Sequence, residues 1–336
     1  MNPREEIIGL LRGQVACPVI SCLGELGWLE RMTDTTFDHT SFVMNVDIKV
    51  FKSVMRYMAS LQLVQRCDDG AGFVATPLGK TVFRRYGAFC ILNSYEDHMH
   101  KLRSMLVPDG SRRAEVNRAR NVIGSGALHE RKFFVPALRL LDSSPCQFIA
   151  DIGCGDGNFL HNCHRRFPEA SILAVDLSSI AVEATLRRLR ETARITGIVA
   201  DGADIHAWSR HVPQETGGGS LISMWFLVHE ISRSDPQVVR EFFHLLHEQC
   251  PDASVLMGEV VRIPPDILAH NRSASVLPEL TLLHDLSRQG LLSWSEWQHI
   301  ASRIPYTRAA ELKFDLVCIP GDTQQPSSFV WWLTPH

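Results

Sequence analysis

The chain has 336 residues, of which 45% are apolar and 21% charged, with a net charge of −3 from 34 basic and 37 acidic side chains. This composition argues against disorder and a coiled coil, and it gives no overall positive field for nucleic acid or an anionic membrane. The length allows one large domain or two.

The N-terminal residues Met1 to Glu6 are polar and acidic, without the apolar core of a signal peptide. From Ile7 to Leu26, apolar residues recur at three- and four-residue steps, which predicts a helix stopped at Gly27. A second helix is predicted over Lys49 to Leu61, with Val50, Val54, Met58 and Leu61 on one stripe. Leu63–Cys67 and Phe73–Thr76 flank an Asp/Gly turn and read as a hairpin. Residues 86–145 read as connecting helices over a site, with breaks near Pro108-Asp109-Gly110 and Gly124-Ser125-Gly126.

From Gln147 onward strand and helix alternate. The strands are expected at Phe148–Ile152, Ser171–Asp176, Gly197–Ala200, Ser220–Phe226 and Ser254–Glu259, with Phe314–Cys318 and Phe329–Leu333 as a closing pair. Such alternation implies a parallel sheet covered on both faces. The longest strongly apolar stretch, Leu221 to Val228, is under half a membrane span, so no transmembrane helix is expected. Nine scattered cysteines without a CxxC pair fit reduced thiols and a cytoplasmic location.

The strongest local signal is Asp151-Ile152-Gly153-Cys154-Gly155-Asp156-Gly157, an apolar strand followed by GxGxG and a helix start. Glycines there let a ligand approach the backbone at the carboxyl end of the first strand. A nicotinamide fingerprint would read GxGxxG and receive a pyrophosphate. Here Asp151 precedes the loop and Asp156 lies within it, which suits a ligand bearing an ammonium group and no phosphate. Asp176 ends the next strand, where a carboxylate can accept both ribose hydroxyls, and Asp201-Gly202 ends the third.

These motifs resemble the class I S-adenosylmethionine-dependent methyltransferases, whose first motif is an acid followed by GxGxG. The resemblance implies a cofactor site of Asp151, Gly153, Gly155, Asp156, Asp176, Leu177, Asp201, Gly202 and Trp225. Upstream, Val54–Gly79 resembles the N-terminal dimerisation domain of small-molecule O-methyltransferases. The expected architecture is therefore α/β: a winged-helix-like dimerisation domain over 1–85, covering helices over 86–145 and a Rossmann-like methyltransferase domain over 146–336. A homodimer is implied. Lys49 to Arg85 holds seven Lys/Arg against Asp68 and Asp69, so DNA binding by the wing is the competing reading of that segment.

Two of the fifteen histidines carry the chemistry. His229 follows the fourth strand, where the plant-type O-methyltransferases deprotonate a phenol. His284 follows in His284-Asp285-Leu286-Ser287-Arg288-Gln289. His-Glu after strand four and HDLxxQ 55 residues later resemble a narrower group, the 2-oxo acid C3-methyltransferases. Those enzymes methylate phenylpyruvate, 4-methyl-2-oxopentanoate or 2-ketoarginine, and they imply a divalent metal, Fe or Zn, between His229 and His284. A metal chelated by the 2-oxo and carboxylate oxygens would stabilise the enolate that attacks the sulfonium methyl. Glu230 or Asp285 would orient an imidazole or serve as a third ligand. Arg118 is the preferred clamp for the substrate carboxylate, with Arg120 or Arg112 as substitutes. Tyr95, Phe133, Trp225 and Phe226 are candidate walls. The acids of Tyr95-Glu96-Asp97 tilt the substrate toward 2-ketoarginine, in non-proteinogenic amino acid biosynthesis.

Overall fold

The computed structural model describes all residues except 1, 39, 43–45, 68–71, 108–113, 142–145, 191–193, 215–218, 271–275 and 320–322. The chain divides into two compact units, residues 1–128 and 129–336. The segment 86–145, read from sequence as one set of connecting helices, is shared between them.

The first unit begins with α1 (Pro3–Glu25), capped by the Asn2 side chain on the Arg4 N–H and stopped where Gly27 turns left-handed at φ 69°. Then come α2 (Trp28–Asp34), α3 (Ile48–Ser60) and the antiparallel hairpin of β1 (Val64–Arg66) and β2 (Phe73–Ala75). The Asp68–Ala71 part of its turn lies outside the described residues. The unit continues with α4 (Pro77–Phe83), α5 (Tyr86–Asn93), α6 (Glu96–Met105) and α7 (Arg118–His129). Its core gathers Leu29, Met32, Phe37, Phe51, Met55 and Met58.

Three details differ from the sequence reading. The buried stripe of α3 is Phe51, Met55 and Met58, while Val50 is exposed, because the inward face is set one residue further on. Gly124-Ser125-Gly126 lies inside α7 and does not break it. A Cβ on Gly124 would lie 2.7 Å from the Gly87 carbonyl oxygen, so the glycines let the backbones of α5 and α7 touch. Third, α1 is 23 residues long and apolar enough, by length and composition alone, to cross a membrane. Its apolar residues form no long uninterrupted run, because Gly9, Arg12, Gly13, Gln14, Pro18 and Ser21 interrupt them.

The second unit opens with one π-helical turn (Glu130–Phe134) and α8 (Val135–Arg139). It is built on a seven-stranded sheet: β3 (Phe148–Ile152), β4 (Ser171–Asp176), β5 (Ile195–Val199), β6 (Ser220–Trp225), β7 (Ser254–Val260), β8 (Tyr306–Ile319) and β9 (Thr323–Pro335). The order is β5-β4-β3-β6-β7-β9-β8, parallel except for β9, which runs antiparallel to both β7 and β8. The expected strands are all present, and the closing pair is longer than its apolar centre suggested.

Between the strands lie α9 (Asn158–Arg166), α10 (Ser179–Arg188), α11 (Ile205–Ser209), α12 (Val228–Ser232), α13 (Pro236–Gln249), α14 (Pro265–His270), α15 (Leu277–Ser287) and α16 (Trp294–Ala301). Alternation along β3 explains the two-sided core. Phe148, Ala150 and Ile152 pack with Trp208, Phe243 and Trp297, whereas Ile149 faces Phe134, Phe159 and Leu160. The strand order reverses beside β3, between β4 and β6, which opens a crevice at the carboxyl ends of β3 and β6.

Gly79 tests the packing of the first unit, since a Cβ there would lie 1.8 Å from the Leu63 carbonyl oxygen. Gly79→Ala is expected to cost about 1–3 kcal/mol. Gly13→Ala, on an open face of α1, is expected to gain about 0.5–1 kcal/mol. Urea denaturation followed by circular dichroism separates the two signs.

Candidate active site

The crevice is lined first by the glycine loop. Gly153, Gly155 and Gly157 all have positive φ, at 79°, 56° and 75°. Gly157 is the residue before α9, and a Cβ on it would lie 2.9 Å from the Thr185 side chain, so glycine is required there for conformation and for space. The Gly155 N–H donates to Asp176 Oδ2 (3.0 Å) and the Ser178 N–H to Asp176 Oδ1 (2.9 Å), which ties the end of β4 to the loop. Leu177 follows, apolar yet 73% exposed, and Ile180 and Val199 are exposed with it. An apolar residue left open beside a carboxylate at a strand end suits the face of a planar ring.

Asp151 is 1% exposed, and its Oδ1 accepts the Ser223 hydroxyl at 2.6 Å. Burial, and then the nearby charges of Asp176 and Asp156, push its carboxyl up to about 7. Asp156 pairs with Arg188 at 2.6 Å, and burial raises its pKa as well. Asp201 is exposed and accepts from the Ala203 N–H at 2.9 Å. Gly202 has no room for a side chain, because a Cβ would lie 2.7 Å from Ile152 and 3.1 Å from Leu227. Trp225 differs from the expectation. Its ring packs in the core between Phe134 and Phe159, on the face that alternation along β6 assigns to it.

The second half of the site begins at Phe226, which has φ 54°, a conformation that side-chain-bearing residues rarely adopt. The Phe226 N–H donates to the Gly258 carbonyl (2.8 Å). After this reversal Leu227 lies against Gly153 and Gly202, and α12 carries His229 inward. His229 Nδ1 is 2.9 Å from Oε2 of Glu259, and the His229 backbone N–H donates to Oε1 at 3.2 Å. Glu259, on β7, is fully buried and also accepts the Val260 N–H. A carboxylate only accepts, so Nδ1 of His229 carries the hydrogen of this bond.

His284 sits in the last turn of α15, 8% exposed, and its Nδ1 donates to the Leu280 carbonyl at 2.6 Å. Burial, followed by the charge of a protonated His229, lowers its pKa to about 4, so its Nε2 bears a lone pair at neutral pH. The two imidazoles are perpendicular within 20° (interplanar angle 71°), with centroids 5.2 Å apart. Two imidazoles sharing one cation through Nε2, at about 2.1 Å per bond, place their centroids about 5 Å apart for a tetrahedral angle. The centroid separation of this pair matches that distance. Among the described residues no group of three or more His, Cys, Asp and Glu side chains is gathered for a metal.

His129 was not singled out from sequence. It is buried, its ring lies over Phe226 with centroids 4.0 Å apart, and burial lowers its pKa to about 3. Phe133 closes on the same Phe226 ring at 5.1 Å. The available signal was a histidine followed one and two positions later by Glu-Arg and four and five positions later by Phe-Phe, which is too common to carry meaning.

Of the remaining expected residues, Arg118, Arg120, Arg112, Tyr95, Glu96 and Asp97 belong to the first unit. Arg118 is exposed in the first turn of α7. Arg120, its first substitute, is committed to Glu25 (2.6 Å) and Glu96 (2.9 Å), and Arg112 lies outside the described residues. Asp97 pairs with Lys101 at 2.7 Å and accepts the Glu115 N–H. The acids of Tyr95-Glu96-Asp97 are therefore engaged within their own unit, and Tyr95 is a core residue. Asp285 is exposed, whereas Glu230 accepts from Gln289 Nε2 at 3.0 Å.

Residues 149–249 match the methyltransferase domain family. The match covers the glycine loop, Asp176, Asp201 and His229. Trans-aconitate 2-methyltransferase of Yersinia pestis is 35% identical over 83 residues, 25% of this chain and 30% of that enzyme. The chain thus spans about a third of the curated relatives it matches. Human N-acetylserotonin methyltransferase superposes with TM-score 0.59 at 14% identity, covering 100% of this chain and 98% of its own. The mitomycin 7-O-methyltransferase gives 0.57 at 12% identity, covering 99% and 98%. A methyltransferase of calicheamicin biosynthesis, with S-adenosylhomocysteine bound, gives 0.57 at 14%, covering both chains fully. These likenesses show the fold, a Rossmann-like methyltransferase sheet with an N-terminal helical region.

Asp151 provides a pH test. Its folded pKa of about 7 lies above the ordinary 3.8, so the folded protein holds the proton more tightly than the unfolded chain. The destabilisation is absent below about pH 4, grows through pH 7 and is complete above it. Asp151→Asn is expected to melt higher than wild type at pH 8 and equally at pH 4 in thermal scans without ligand. A gain of the same size at both pH values would contradict this assignment.

Proposed function

We propose that the chain is an S-adenosylmethionine-dependent methyltransferase that methylates C3 of a small 2-oxo acid. The cofactor reading rests on the glycine loop with Asp151, Asp176 and exposed Leu177 at successive strand ends. When bound, the cofactor supplies an electrophilic methyl on a sulfonium. The substrate reading rests on one observation, the facing of two imidazoles whose Nδ1 atoms are both held against oxygen acceptors.

A divalent cation held by His229 and His284 would supply Lewis acidity to the 2-oxo and carboxylate oxygens. Glu259 fixes the tautomer and orientation of His229, and the Leu280 carbonyl does the same for His284. Burial keeps His284 unprotonated at neutral pH, so that ring need not lose a proton before it can bind. On this reading the Asp151 carboxylate pairs with the ammonium group of the cofactor, which would also draw its pKa back down.

The engagement of Glu96 and Asp97 removes the acids that favoured a guanidino side chain. The rings of Phe226, Phe133 and His129 instead support an aromatic or branched apolar acceptor over 2-ketoarginine. We further propose a homodimer, supported by the exposed apolar stripe of Ile7, Leu10, Leu11 and Val15 on α1.

A second reading is favoured by the His229–Glu259 dyad, in which a carboxylate orients an imidazole as a general base. On that reading the chain is a phenol O-methyltransferase. Transfer of labelled methyl to a panel of 2-oxo acids and phenols, with and without chelator, separates the two. The first reading expects 2-oxo acid turnover that chelator abolishes and that His284→Ala lowers at least about 100-fold. Chelator-resistant turnover of phenols alone would overturn it. Glu259→Gln should lower kcat about 10- to 100-fold on either reading, as measured by steady-state kinetics.

A further inference from the structure

We infer, on the two-histidine reading above, that Glu230, Gln289 and Gly290 are positioning residues that set the spacing of His229 and His284. The two histidines come from separate elements, α12 and α15, and nothing in either helix fixes how far apart the rings stand. Four observations meet at the junction where both helices end.

Each helix stops on an arginine in the left-handed conformation, Arg233 at φ 46° after α12 and Arg288 at φ 59° after α15. The two chain exits then dock backbone to backbone. A Cβ on Gly290 would lie 1.9 Å from the Ser234 nitrogen and 2.4 Å from the Arg233 carbonyl carbon. The buried Ser232 hydroxyl lies within hydrogen-bonding distance of the carbonyl oxygens of both His229 (3.0 Å) and Gly290 (3.2 Å). Gln289 Nε2 donates to Glu230 Oε1 at 3.0 Å, and the Gln289 backbone N–H donates to the His284 carbonyl at 3.0 Å.

Glu230 is the neighbour of His229, and Gln289 closes the turn that begins at His284. Their side-chain bond therefore ties the two histidine-bearing segments together. Ser232 and Gly290 tie them one helical turn further out. A junction without room for one methyl group cannot slide, and side chains that orient ligands change metal affinity by about 10- to 100-fold when removed. None of these residues needs to touch the methyl acceptor for this role.

The test is Co(II) binding, followed by its visible absorption, for wild type, Gln289→Glu, Gly290→Ala and Glu230→Gln/Gln289→Glu. Affinity for S-adenosylhomocysteine is measured alongside. Gln289→Glu sets two carboxylates against each other, and Gly290→Ala forces the segments apart. Each should weaken Co(II) at least about tenfold while cofactor affinity stays within about threefold. The double variant restores a donor to the pair, with the amide and carboxylate exchanged, and should recover Co(II) binding to within about threefold of wild type. Wild-type Co(II) binding in Gln289→Glu, or loss without recovery in the double variant, overturns the positioning role. Failure of the wild type to take up Co(II) overturns the metal reading alone. The same variants are then compared by kcat on the accepted methyl acceptor, where an undiminished Gln289→Glu overturns the positioning role.

Discussion

The site depends on the backbone reversal at Phe226. β6 is the fourth strand of the sheet in chain order and lies next to β3, so its carboxyl end opens onto the crevice that holds the glycine loop. An extended exit would carry the chain away from the loop. The left-handed turn at Phe226 instead lays Leu227 on Gly153 and Gly202 and sends His229 down onto Glu259. Such a conformation costs on the order of 1 kcal/mol for a residue with a side chain. It is held by the bond to Gly258 and by the ring of His129 lying over Phe226. One strained residue thus joins the wall of the cofactor loop to the candidate catalytic histidine.

Around that turn the polar groups are buried in two different ways. Glu259 is fully buried but accepts the His229 Nδ1 hydrogen and two backbone N–H groups, so its lone pairs are well used. Asp151 is equally buried but has the Ser223 hydroxyl as its side-chain partner and faces two other carboxylates. The first arrangement is complete in itself and fixes a tautomer. The second carries an electrostatic cost that an opposite charge beside it would relieve.

Much of this was legible in the sequence. The sheet was visible because its strands are short apolar runs punctuated by helical stretches, and Asp151, the glycines and Asp176 stand at strand ends that such runs mark. His229 and His284 stood out by context. The rest depends on side-chain direction, which periodicity gives poorly near element ends. Trp225 was placed beside the cofactor, but alternation along β6 turns it into the core with Phe134 and Phe159. Glu259 looked like one acid among several, because only the pairing of β6 with β7 brings it under His229. Glu96 and Arg120 looked available and proved to be partners. The glycines of α7 looked like a break and proved to be a packing surface.

The central claim is that the two histidines act on the carbon beside a ketone. The most direct measurement is exchange of C3 protons of a 2-oxo acid into D2O, followed by NMR, with S-adenosylhomocysteine bound so that no methyl transfer intervenes. The account predicts exchange well above the buffer rate with wild type and its loss in both His229→Ala and His284→Ala. Exchange at the buffer rate with wild-type protein that still methylates phenols would contradict it.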